Sequence, residues 1–159
     1  MKNLTRRDIC VGMPAVAAAF GIVEVVEAQG AAAPAVAAAA PSLTQARAFD
    51  FDTMPTRTMA NGGESRDVIH GALATGEMVN LHESMQPVGV APNPQHVIQH
   101  SEFILVREGR LEFEREGSPS QTVGPGGVIY VAFGTKHTVK NVGDVPAKYF
   151  VIAIGGDAK

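Results

Sequence analysis

Residues 102–118 read Glu102-Phe103-Ile104-Leu105-Val106-Arg107-Glu108-Gly109-Arg110-Leu111-Glu112-Phe113-Glu114-Arg115-Glu116-Gly117-Ser118. Two β-type runs are separated by one glycine turn and closed by a second. In the second run Leu111 and Phe113 fall on one face and Glu112 and Glu114 on the other, so that strand has one face in water. The first is apolar at every position from Phe103 to Val106, as Val128 to Val131 is further on, and this suits strands covered on both faces. Glu108-Gly109-Arg110 and Glu116-Gly117-Ser118 put glycine where a turn needs positive φ.

Working outward, the same rhythm continues. Strands are expected at Arg66 to Leu73, Glu77 to Met85, Glu102 to Arg107, Arg110 to Arg115, Val128 to Phe133, His137 to Asn141 and Ala147 to Ile154. Gly124-Pro125-Gly126-Gly127 and Gly143-Asp144 supply further turns. No window after Ser42 sustains a helical period, so the class is all-β.

The 159 residues, 45% of them hydrophobic, suffice for one domain of ordinary size. With 13 Lys plus Arg against 16 Asp plus Glu, and no basic run beyond Arg6-Arg7, the chain lacks the footprint of a nucleic-acid binder. Cys10 is the only cysteine and lies outside the expected domain, so a metal would have to be held by histidines and carboxylates.

The N-terminus has the layout of a secretory signal: a short basic stretch, an apolar run from Ile9 to Val23, and Val26-Glu27-Ala28 ending in a small residue. Gly12, Pro14 and Gly21 interrupt the run, and it falls short of the roughly 20 apolar residues a membrane span needs. Thr5-Arg6-Arg7-Asp8-Ile9 resembles the twin-arginine export signal of bacteria. Residues 1–28 are therefore read as a signal peptide, 29–42 as an Ala/Pro-rich linker broken by Pro34 and Pro41, and 43–159 as the folded domain. The expected location is periplasmic or secreted, with no stable membrane span in the mature protein.

His96, His100 and Glu102 lie within one short stretch, and His137 follows in a later strand. Imidazole with carboxylate suits zinc, iron, manganese, nickel or copper, with iron, manganese and zinc the first candidates. Two histidines with one carboxylate leave the open positions that non-heme Fe(II) oxygenases use.

The stretch His96-Val97-Ile98-Gln99-His100-Ser101-Glu102, continuing to Gly109, resembles the first motif of the cupin superfamily. Gly126, Ala132-Phe133-Gly134-Thr135-Lys136-His137 and Asn141 resemble the second, with Ala132 in place of the usual proline. The resemblance covers about Arg66 to Ile154. It implies a double-stranded β-helix, the cupin jelly-roll barrel, with a metal site and pairing of barrels into homodimers. Matched residue by residue, it puts His96 at the first ligand position, Ile98 at the second, Glu102 at the third and His137 at the fourth. Ile98 cannot bind metal, and His100 is the candidate to compensate.

Strand geometry leaves two ligand sets open. Along a straight strand His96 and Glu102 would stand about 20 Å apart, whereas His100 and Glu102 point the same way about 7 Å apart. His100, Glu102 and His137 form the economical set, and His96 joins them if the chain turns near Gln99. His82 is read as a surface or pocket-rim residue and His70 as structural. Met54, Met59, Met78 and Met85 are read as core-filling, and Asn141 as stabilising a turn. Tyr130 and Phe133 are candidates to line the barrel or pack in its wall. The expected function is binding of, or chemistry on, a small molecule at a His/Glu metal site, of dioxygenase, isomerase or lyase type. The rival is a non-catalytic binding or sensor module with a degenerate site.

Overall fold

The computed structural model describes residues 42–158, so the expected signal segment and nearly all of the expected linker lie outside the described residues. The described strands are β1 (Ser42–Leu43), β2 (Thr56–Thr58), β3 (Glu64–Leu73), β4 (Met78–Gln86), β5 (His96–Val97), β6 (Ser101–Glu108), β7 (Leu111–Arg115), β8 (Gln121–Val123), β9 (Val128–Val131), β10 (Lys136–Asn141) and β11 (Ala147–Ile154). A single 3-10 turn at Phe51–Thr53 is the only helical element among the described residues. Gly109, between β6 and β7, has φ of 74°. A Cβ there would lie 2.7 Å from the Ala147 Cα, so both the turn and the packing require glycine.

The strands form two sheets. One runs β1-β3-β4-β11-β6-β9 with β2 added beside β3, and the other runs β5-β10-β7-β8. Apart from the short parallel β1–β3 pair, the pairings are antiparallel. The sheets face each other across a core that includes Ile98, Ile104, Val106, Leu111, Phe113, Ile129, Val131 and Val151. Leu111 and Phe113 point inward as their alternation predicts, while Glu112 and Glu114 are half-buried on the opposite face.

Two strands depart from expectation. Phe103 to Val106 and Val128 to Val131 are covered on one face only: Ile104, Val106, Ile129 and Val131 are buried, whereas Leu105, Val128 and Tyr130 are 36%, 57% and 56% exposed. β9 is an edge strand, β6 is next to it, and among the described residues no further layer lies over their outer side. Phe103 and Tyr130 shield each other there with ring centroids 5.1 Å apart. The last strand residue of β9 is Val131, and Ala132 to Thr135 turn, with the Thr135 N–H donating to the Ala132 carbonyl and Gly134 at φ 77°. Phe133, 62% exposed, therefore lies outside the barrel.

The inward face of β4 carries polar side chains. Gln86 donates from Nε2 to the Tyr149 hydroxyl (2.9 Å) and to the Val139 carbonyl (3.2 Å), and its Oε1 accepts from the Asn141 N–H (3.0 Å). Asn141 donates from Nδ2 to the Gln86 and Val145 carbonyls, and its Oδ1 accepts from the Gly143 N–H. It thus pins the β10–β11 turn to β4, and these buried polar groups satisfy one another.

Candidate functional site

The two sheets enclose a pocket of about 170 Å³. Its walls come from β4 (His82, Ser84, Gln86), β5 (His96), β6 (Glu102, Ile104), β10 (His137, Thr138, Val139) and β11 (Tyr149, Val151), with Asn93 on the approach to β5. His96 reaches it because the chain bends at Gln99 and His100, between β5 and β6. The bend makes His96 the register partner of His137, with ring centroids 5.0 Å apart. His137 is buried, Glu102 is buried, His82 is half-buried and His96 is exposed at the pocket's edge.

His100 stands apart from this group. It does not line the pocket but lies behind Glu102, its Nε2 3.3 Å from Oε2 of Glu102 and its Nδ1 2.8 Å from Oδ1 of Asp157. Both ring nitrogens are spent on carboxylates. Ile98 is buried in the hydrophobic core and held in place by backbone bonds, its N–H donating to Thr135 O and its carbonyl accepting from the Gly134 N–H. Of the four residues singled out from sequence, the structure thus brings His96, Glu102 and His137 to the pocket wall and His100 to the far side of the carboxylate.

The three pocket imidazoles share one bonding pattern. Nδ1 meets Asn80 Oδ1 in His82 (3.1 Å), the Pro94 carbonyl in His96 (3.2 Å) and the Thr135 carbonyl in His137 (3.4 Å). An oxygen acceptor at Nδ1 puts the proton on that nitrogen and leaves Nε2 with its lone pair, as outer bonds do for metal-binding histidines. In His137 that Nε2 lies 3.7 Å from Oε1 of Glu102. Two acceptors facing each other call for a cation between them or a second proton on the ring. Among the described residues no three His, Cys, Asp or Glu side chains come together closely enough to hold a metal ion.

Burial acts to raise the pKa of Glu102, but hydrogen bonding and charge from His137, then from His100, outweigh it and hold the carboxyl below its ordinary range. Burial pushes the His82 imidazole down, against the opposing pull of Glu102 and Asp67. Tyr149 is pushed up to about 12, chiefly by burial, so it remains a neutral phenol.

His82, Ser84, Gln86 and Tyr149 complete the pocket although the sequence did not mark them as a group. The signal was the spacing of His82, Ser84 and Gln86 at every second position, which sets polar side chains on the inward face of one strand. Asp157 carried no local signal, because only the return of the chain to the Gln99 bend brings it near the site.

This architecture, a double-stranded β-helix with its pocket between the sheets, defines the class of protein. Residues 81–153, β4 through β11, match the family model described as cupin domain. These residues form a cupin domain. No curated protein matches it. Among solved structures it is similar to an RmlC-like cupin with a double-stranded β-helix fold from Methanocaldococcus jannaschii, at 15% identity, covering 69% of this chain and 91% of that one with a TM-score of 0.55. The polyketide cyclase RemF from Streptomyces resistomycificus is similar at 17% identity, 69% and 80% coverage and a TM-score of 0.57. Drosophila melanogaster CENP-C bound to CAL1 is similar at 16% identity, 67% and 84% coverage and a TM-score of 0.52. A cyclase and a protein solved with a protein partner share this fold, so function must be argued from the pocket.

Proposed function

We propose that the barrel pocket takes up a small, uncharged polar molecule beside one divalent metal ion held by Glu102, His96 and His137, with His82 as the third imidazole. The observation that carries this reading is the common bonding of the three imidazoles, each with Nδ1 on an oxygen acceptor and Nε2 left for the pocket. His82 then supplies what Ile98 cannot, and His100 is not needed as a ligand. When bound, such an ion supplies Lewis-acid or redox chemistry to an oxygen-bearing substrate. The substrate class follows from the walls: no Lys or Arg is among the lining residues, while Ser84, Gln86 and Tyr149 offer hydroxyl and amide groups and Ile104, Val139 and Val151 an apolar wall. A pocket so equipped, with a charged Glu102 inside it, suits alcohols, carbonyls and amides rather than phosphates. Catalysis of dioxygenase, isomerase or lyase type is compatible with this site.

The test is the metal content of protein purified with its native ion, by elemental analysis, for wild type and for His82→Ala, His96→Ala, His100→Ala, Glu102→Ala and His137→Ala. Glu102→Ala and His137→Ala are expected to lose the ion, His82→Ala and His96→Ala to hold it more weakly. Full retention in all five folded variants would overturn the reading. A second reading, a metal-free module that binds its ligand without chemistry, is favoured by Ile98 at a ligand position and by the lack of three converging donors among the described residues. A wild-type protein without metal that still binds a small polar molecule would establish it. The proposal includes export by a twin-arginine route, supported by Arg6-Arg7 ahead of the apolar run. It also includes self-association through the exposed side of β6 and β9.

A further inference from the structure

We infer that His100 and Asp157 are a positioning pair for Glu102, which makes the turn after β11 a part of the site. The inference rests on the reading of Glu102 as the acidic group of the pocket. Glu102 uses its two oxygens differently: Oε1 faces Nε2 of His137 at 3.7 Å and Oε2 faces Nε2 of His100 at 3.3 Å. A glutamate carboxylate rotates freely about its last torsion unless an oxygen is held. His100 holds it, and is itself held by Oδ1 of Asp157 at 2.8 Å on its other nitrogen. With a carboxylate on either side, the ring cannot turn without losing both bonds.

Asp157 is placed by backbone contacts. The Gly155 N–H donates to Met78 O (2.7 Å), the Asp157 N–H to Gln99 O (3.2 Å) and the Ala158 N–H to Gly155 O (3.1 Å), and Ala158 is buried. Gly156 has φ of 52°, and a Cβ there would overlap the carbonyl oxygen of Gln99. The turn thus sits directly on the bend that brings His96 to the pocket, so one residue, Asp157, holds the bend through its N–H and the carboxylate through His100. Such outer contacts commonly change metal affinity by about 10- to 100-fold.

The experiment adds Co²⁺ to the metal-free full chain and follows its visible absorption in wild type, His100→Ala, Asp157→Ala and Asp157→Asn, each checked for folding by circular dichroism. In parallel, the side-chain carboxyl ¹³C signal of Glu102 is recorded without metal. His100→Ala and Asp157→Ala are expected to weaken Co²⁺ binding about tenfold and to shift the Glu102 signal. Asp157→Asn, whose amide oxygen still accepts from Nδ1, should restore most of both. Variants that match wild type in affinity, absorption and carbon signal would overturn the positioning role while leaving the metal site standing. A wild type that takes up no Co²⁺ but whose Glu102 signal responds to His100→Ala and Asp157→Ala would remove the metal and keep the positioning pair. No Co²⁺ uptake with no response would remove both.

Discussion

Ile98 shows how one side chain departs from its family's pattern. It occupies a ligand position by spacing, yet it is 3% exposed and packed with Ile104 and its neighbours. Ile98→His is therefore expected to lower stability by about 1–3 kcal/mol, the cost of burying a polar ring without a partner, and to leave metal content unchanged. Denaturant titration and elemental analysis would check it. Leu111→Ala empties a fully buried position and should cost about 2–5 kcal/mol in the same titration. His82 and Glu102 set the acid side of the stability profile. Both have folded pKa values below their unfolded ones, so between folded and unfolded values the unfolded chain binds more protons and stability rises with pH. As pH falls, the contribution of His82 is lost first, from about 6.5 downward, and that of Glu102 follows below about 4.5. His82→Gln should flatten the upper part of a plot of melting temperature against pH and leave the lower part. At this scale His96, Glu102 and His137 were legible because motif spacing marks them. His82 was read only as a rim residue and Asp157 not at all, since a pocket wall drawn from several strands has no signature along the chain.

The long strands were readable because turn glycines and apolar runs bound them, and Arg66–Leu73 and Ala147–Ile154 agree with the structure to within two residues at each end. β1, β2, β5 and β8, of two or three residues each, were not legible, since that length holds no periodicity. Nor could composition say that Phe103–Val106 and Val128–Val131 would be covered on one side only, because exposure there depends on where β6 and β9 fall in the sheet order. The outer side of these strands gives a test at the same scale. Val128→Ser with Tyr130→Ser removes side chains already more than half exposed, so the melting temperature of the isolated barrel should move little. Sedimentation velocity is expected to show wild-type dimers and monomeric double variant, and a monomeric wild type would remove self-association from the proposed function.

At the scale of the whole molecule, the proposed export is separable from the fold. Arg6→Lys with Arg7→Lys is expected to stop translocation, measured by cell fractionation, and to leave the purified domain's circular dichroism unchanged. Undiminished export would remove the twin-arginine reading. The sheet order carries a consequence for how the chain is made. β11, the last strand in sequence among the described residues, lies between β4 and β6, so the middle of the larger sheet emerges from the ribosome after the strands on either side of it. Until residues 147–154 emerge, β4 and β6 have no common neighbour, and the inward faces that later enclose the pocket remain open. Closure of the larger sheet must therefore await residues 147–154, a non-local step, and a nascent chain stalled before Ala147 should be open to protease where one that includes β11 is resistant.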